Sequence, residues 1–102
     1  MRQARVSNYG SPAGILEERD DGRYAFRYLD DYAGEPISLT LPTTKKEYEF
    51  DSFPPFFDGL LPEGFQLEAL LRRHKIDRDD CFTQLVTVGR DLVGSVTVEE
   101  IR

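Results

Sequence analysis

A single cysteine, Cys81, stands in the 102 residues. This excludes an intramolecular disulfide and a cysteine-based metal cluster, and it suits a reducing compartment. The chain lacks the run of ~20 apolar residues that a membrane span requires. Its basic N-terminus, Met1-Arg2-Gln3-Ala4-Arg5, lacks the apolar stretch of about 7–15 residues that marks a signal peptide. The expectation is a soluble, cytoplasmic protein with no membrane partner. An excess of positive charge is missing as well. With 19 acidic against 13 basic side chains, the net charge is −6 and the pI about 4.7, which opposes the counterion release that drives nucleic-acid binding. No direct contact with nucleic acid is expected. The acidity favours encounter with a basic partner and also serves solubility.

Catalytic signatures are equally sparse. There is no G-x-G-x-x-G loop, no Walker lysine and no catalytic-loop motif with a base and a metal-binding Asn. Gly89-Arg90-Asp91 holds an Arg-Asp pair without a preceding His or a following Asn, and it reads as a structural turn. His74 is the only imidazole, so a metal site lacks ligands and a triad lacks partners. Cys81 sits in an apolar pattern with Phe82 and Leu85 and reads as a buried structural thiol. Asp30-Asp31 and Asp79-Asp80 read as turn and capping chemistry. The sequence therefore predicts a non-enzyme with no catalytic residues, cofactor, metal or small-molecule substrate.

What is present reads as one domain over residues 1–102, long enough to bury a core without disulfides or metal. Residues 3–9 and 14–19 read as strands separated by the turn cluster Gly10-Ser11-Pro12-Ala13-Gly14. Asp20-Asp21-Gly22 is a hairpin signal. Tyr24, Phe26 and Tyr28 then alternate with Ala25 and Arg27, giving one aromatic face. Ile37-Ser38-Leu39-Thr40-Leu41 alternates again until Pro42 stops it, and the charged run Lys45-Lys46-Glu47 reads as a loop. A helical turn around Phe56–Leu60, a helix from about Pro62 to His74 and another from about Arg78 to Thr87 follow. Asp77 is the expected cap of the last, with Asp79 and Asp80 at its positive end. Gly89 and Gly94 bracket a turn, and Ser95-Val96-Thr97-Val98 returns to the sheet. The fold class is α+β: a small antiparallel sheet, made of an N-terminal meander and a C-terminal strand, with two to three short helices.

The densest signal is the 13-residue stretch from Phe53 to Phe65, which holds four Phe, three Pro and two Gly. Prolines fix φ, glycines permit unusual backbone, and aromatics supply the burial that holds an irregular path. The order Phe56-Phe57-Asp58-Gly59-Leu60-Leu61-Pro62-Glu63-Gly64, then Asp79-Asp80, then Gly89-Arg90-Asp91-Leu92-Val93-Gly94-Ser95-Val96 resembles the N-terminal subdomain of the HipA family of bacterial toxin kinases. With Phe26-Arg27-Tyr28 and Ile37-Ser38-Leu39 before Pro42, the resemblance covers residues 14–98. The sequence stops at Arg102, where a HipA protein would continue into its kinase lobes. In this it resembles the HipS proteins of tripartite HipBST systems, in which a shortened kinase, HipT, has lost this subdomain. The resemblance implies an antitoxin that binds and sterically inhibits a HipT-like serine/threonine kinase, in a ternary complex with a HipB-like helix-turn-helix protein. The alternative is a non-inhibitory structural subunit that completes the fold of a truncated HipA-like kinase.

One residue breaks the expected pattern. At 100° per residue, Leu67, Leu70, Leu71 and His74 fall within a sector of about 100°, the expected core stripe of the middle helix. Phe65 lies opposite, on the side of Glu68, Ala69 and Arg72. Either Phe65 folds back over the Phe53–Phe57 loop, or it is an exposed anchor for a partner. The resemblance places the kinase there, so Glu63, Gly64, Phe65, Glu68, Ala69 and Arg72 form the candidate partner-binding surface.

Overall fold

The computed structural model describes residues 1–92 and 94–101; Val93, part of the Gly89–Val96 motif, and Arg102 lie outside the described residues. Five strands form one antiparallel sheet: β1 (Arg2–Asn8), β2 (Ser11–Glu18), β3 (Tyr24–Tyr28), β4 (Glu47–Phe50) and β5 (Val96–Ile101), in the order β4-β3-β2-β1-β5. Three helices, α1 (Pro55–Asp58), α2 (Gly64–His74) and α3 (Cys81–Val88), lie between β4 and β5 in the chain. The expected α+β architecture, with a meander and a returning C-terminal strand, is therefore present.

Registration explains the core. Cross-strand rows run Val98–Val6–Gly14–Tyr28, then Ala4–Leu16–Phe26–Tyr48, then Arg2–Glu18–Tyr24–Phe50. Because side chains alternate across the pleat, these rows share one face. Phe57 of α1 and Phe82 and Leu85 of α3 are fully buried in the same cluster. Phe26 packs edge-on against Tyr28 at 4.9 Å and tilted against Phe57 at 5.9 Å. The rows between them, such as Arg5–Ile15–Arg27–Glu47, carry most of the charge and face the other side.

Four sequence expectations need correction. The turn between the first two strands is not the cluster 10–14 but Tyr9-Gly10, both at positive φ (51° and 82°), as a two-residue hairpin turn requires. Ala13 becomes an extra residue on β2, where the register shifts between Val6 and Ser7. Residues 37–41 are not a strand. The Tyr28 hydroxyl donates to the Leu41 carbonyl and accepts from the Ile37 N–H, the Ser38 hydroxyl accepts from the Thr40 N–H, and the Leu41 N–H reaches the Ser38 carbonyl. Ile37 and Leu41 are thus buried while Leu39 is 98% exposed. Side-chain bonding, from the distant Tyr28 and the neighbouring Ser38, has outcompeted the alternation.

The edge of β3 is taken instead by β4, whose Tyr48 and Phe50 alternate with Glu47 and Glu49. Glu47 is therefore a strand residue, and the loop reading holds only for Lys45-Lys46. The cap of α3 is Asp80, not Asp77: its carboxylate accepts from the Thr83 N–H at 3.2 Å and the Thr83 hydroxyl at 2.7 Å. Asp77 instead presents its carbonyl to the Asp80 N–H and to the Gln84 amide.

A charged cluster fastens α3 to the sheet. Arg2 donates to both Glu18 oxygens at 2.7 and 2.8 Å, to Asp80 at 2.9 Å and to Thr83 at 2.9 Å, and its guanidinium lies 4.7 Å over the Phe82 ring. Tyr24 donates to Glu18 at 2.8 Å. Arg2, then the Tyr24 hydroxyl, hold the Glu18 carboxyl below its ordinary value against the effect of burial. For Asp80 burial pushes upward most strongly, but Arg2 and Thr83 together still bring it below the usual range. The far end of α3 approaches β5 so closely that a Cβ on Gly89 would lie 1.8 Å from the Val98 carbonyl oxygen. Only glycine permits that packing, which the Val98 N–H seals by donating to the Gly89 carbonyl at 2.9 Å.

Candidate partner-binding helix

The irregular stretch between β4 and α2 is folded from its own aromatics. Phe53 packs edge-on against Tyr24 at 5.2 Å, Phe56 against Phe57 at 5.1 Å, and Pro54 is buried. The path is therefore anchored up to α1 and then released. Leu60, Leu61 and Pro62 are only half-buried, and Glu63 caps α2 through its backbone, with no side-chain bond. The helix starts at Gly64 rather than at Pro62, because Gly64 takes φ +58°, a conformation nearly confined to glycine.

That backbone decides where Phe65 points. It does not fold back over the Phe53–Phe57 loop: it is 95% exposed in the first turn of α2. The other five residues of the expected surface, Glu63, Gly64, Glu68, Ala69 and Arg72, are exposed as well. The structure thus brings all six to the outside of one helix and its entry. Glu68 is engaged by Arg78, which leaves Phe65 as the large apolar group of that face.

The opposite stripe corrects the sequence reading in degree. Leu67, Leu70 and Leu71 are half-buried, His74 is exposed, and no residue of α2 is fully buried. His74 borders a shallow depression with Pro62, Leu70 and Val88. Lys75 closes the helix in the left-handed conformation, its N–H and that of Ile76 both reaching the Leu71 carbonyl. Arg72, Arg73 and His74 meet the negative end of the helix dipole. Beside α2 lies a second depression of about 690 Å³ lined by Leu60, Leu61, Pro62, Gln66, Val88 and Leu92. Its only signal in the sequence was the apolar flank of the Pro/Gly segment.

Cys81 is half-buried, less than expected, and burial raises its thiol above the ordinary value, with the charges of Asp58, Asp80 and Asp79 adding to the shift. That shift is opposite to the one that activates a cysteine nucleophile. Among the described residues no three His, Cys, Asp or Glu side chains gather as metal ligands, and no helix is long and apolar enough to cross a membrane.

Known proteins share this architecture. A solved N-terminal domain of HipA toxin superposes with a TM-score of 0.81 at 30% identity, covering 100% of this chain and 94% of that one. An uncharacterized protein of Haemophilus influenzae is 33% identical over 100 residues, 98% of this chain and 93% of that protein. The putative kinase Y4dM of Sinorhizobium fredii is 37% identical over 104 residues, which is 91% of this chain but 25% of the kinase. The family model that matches, over residues 4–99, describes the HipA N-terminal domain and not the kinase catalytic domain. A match over nearly the whole chain, in sequence and in fold, establishes that this chain belongs to the HipA N-terminal domain family, related to kinase toxins.

Proposed function

We propose that this protein is an antitoxin that binds a HipA-like serine/threonine kinase of the HipT kind and inhibits it sterically, without catalysis of its own. The observation that carries the proposal is Phe65, a phenylalanine 95% exposed at the start of a helix none of whose residues is fully buried. An aromatic held out on ordered backbone has little backbone entropy left to lose on binding, and such residues dominate interfaces. Phe65 enters or abuts the active-site cleft of the kinase and blocks nucleotide or substrate, while Glu63, Gly64, Glu68, Ala69 and Arg72 form the rim. A HipB-like helix-turn-helix protein completes a ternary complex in the cytoplasm, so this acidic chain meets DNA only through its partners.

A second reading has support in Y4dM, where the matching segment occupies a quarter of a kinase's own length: a non-inhibitory subunit that completes the kinase fold. Co-expression with a HipA-like kinase lacking this domain separates the two. An antitoxin restores growth and co-purifies with the kinase. Co-purification without rescue establishes the structural subunit, and absence of a complex overturns both.

A further inference from the structure

α2 carries a knob and, on the next face of the same helix, a hole. The knob is the exposed ring of Phe65. The hole is the shallow depression beside His74, of about 310 Å³, where Gln66, Leu70 and Arg73 face Pro62 and Val88. At 100° per residue the lining face centres about 100° round the helix from Phe65, and Ala69, which also borders the depression, falls between the two. Ala69 is exposed, and its single methyl group lets a second helix approach closely at that seam.

Charge is graded along α2 and its two caps. Glu63 stands at the entry and Arg72, Arg73 and Lys75 at the end. Among the described residues none of these four has an ion-pair partner within 4.0 Å, whereas Glu68 is held by Arg78. Residues 63–75 hold three cations against two acids, so the acidic excess of the chain lies elsewhere and the local field does not oppose a like helix. An identical helix laid antiparallel brings the acidic start of each onto the basic end of the other. It also sets the two helix dipoles in opposition, which is the favourable arrangement.

We propose that this face binds a second copy of the chain: two α2 helices pack antiparallel about Ala69, and the Phe65 ring of each enters the depression of the other. Such a contact is isologous and closes as a two-fold dimer. Crossing at Ala69 sets Phe65 against Arg73 of the second copy and Glu63 against Lys75 of the second copy. The ring then covers apolar wall while the guanidinium stacks on it. A second copy fits better than an unrelated protein because one helix supplies the knob, the hole, the acidic end and the basic end, in the order that a two-fold axis demands. The patch is small, so the dimer is weak and dissociates on dilution. It goes beyond the kinase reading and needs no kinase; where both hold, kinase and second copy exclude each other at Phe65.

Sedimentation equilibrium of the full chain alone, from about 1 μM to about 1 mM, tests this. The wild type should pass from monomer to dimer over that range. Phe65→Ala, at an exposed position, should keep its circular dichroism spectrum and weaken association at least about 30-fold, because both rings are lost at once. Glu63→Lys and Lys75→Glu should each weaken it about fivefold, while an equimolar mixture of the two variants should recover dimers, since each chain then meets opposite charge. A wild type that stays monomeric throughout would overturn the proposal and leave the kinase reading standing. A dimer that survives Phe65→Ala would place the contact elsewhere and overturn it as well. Absence of recovery in the mixture would overturn the antiparallel register.

Discussion

Replacing Phe65 with alanine separates a surface anchor from a core residue more cleanly than any other change in this chain. At 95% exposure the ring contributes almost no burial to the folded state, so its removal forfeits none of the ~1.5–3 kcal/mol that a buried phenylalanine supplies. Alanine is also the better helix former by about 0.5 kcal/mol. In a domain of this size that raises Tm by roughly 2–4 °C. Binding should move the other way. A phenylalanine that becomes buried in a partner contributes about 2–3 kcal/mol, so the variant should bind the kinase roughly 30- to 150-fold more weakly. Differential scanning calorimetry reads the first effect, and isothermal titration with the purified kinase, paired with its phosphorylation rate, reads the second. A Tm lowered by several degrees would show that Phe65 is packed in solution. Unchanged affinity and unchanged inhibition in a fully folded variant would sink the anchor assignment.

Two further perturbations test the fold that carries the helix. Arg2→Met strands the Glu18 and Asp80 carboxylates and should cost about 1–2 kcal/mol at pH 7, moderated because solvent reaches the cluster. Both carboxyls are held below their ordinary values of 4.5 and 3.8. The stability they supply is therefore complete above those values and lost as pH falls through the depressed ones. Urea melts at pH 7 and pH 3 should show wild type and variant converging in acid; a gap independent of pH would refute the linkage. Gly89→Ala drives a methyl into the Val98 carbonyl and should cost about 3 kcal/mol or more, lowering Tm by over ~10 °C. A near-neutral result would mean that α3 and β5 sit farther apart.

Much of the fold was legible because it rests on local periodicity. Tyr24, Phe26 and Tyr28 announced an aromatic strand face. The Asp-Gly pair announced the turn after β2, where Gly22 takes φ +86°, and the helix wheel placed Phe65 opposite the leucines of α2. The misassigned edge strand has one cause, which is that two segments with the same alternation competed for the edge of β3. Residues 37–41 looked better as a strand than 47–50, whose pattern lay hidden among charges. Hydrogen bonds from Tyr28, 13 residues away from Leu41, settled that contest, and no local pattern encodes them.

By itself the sequence determined the class of the fold, its hydrophobic rows and the residue types available at the entry to α2, because these follow from alternation, helical spacing and backbone chemistry within a few residues. Only the tertiary structure decided which segment completes the sheet, which aspartate caps α3, and that α2 stands with none of its residues fully buried. Each of those depends on groups distant in sequence meeting in space, where burial and the satisfaction of polar atoms outweigh local preference.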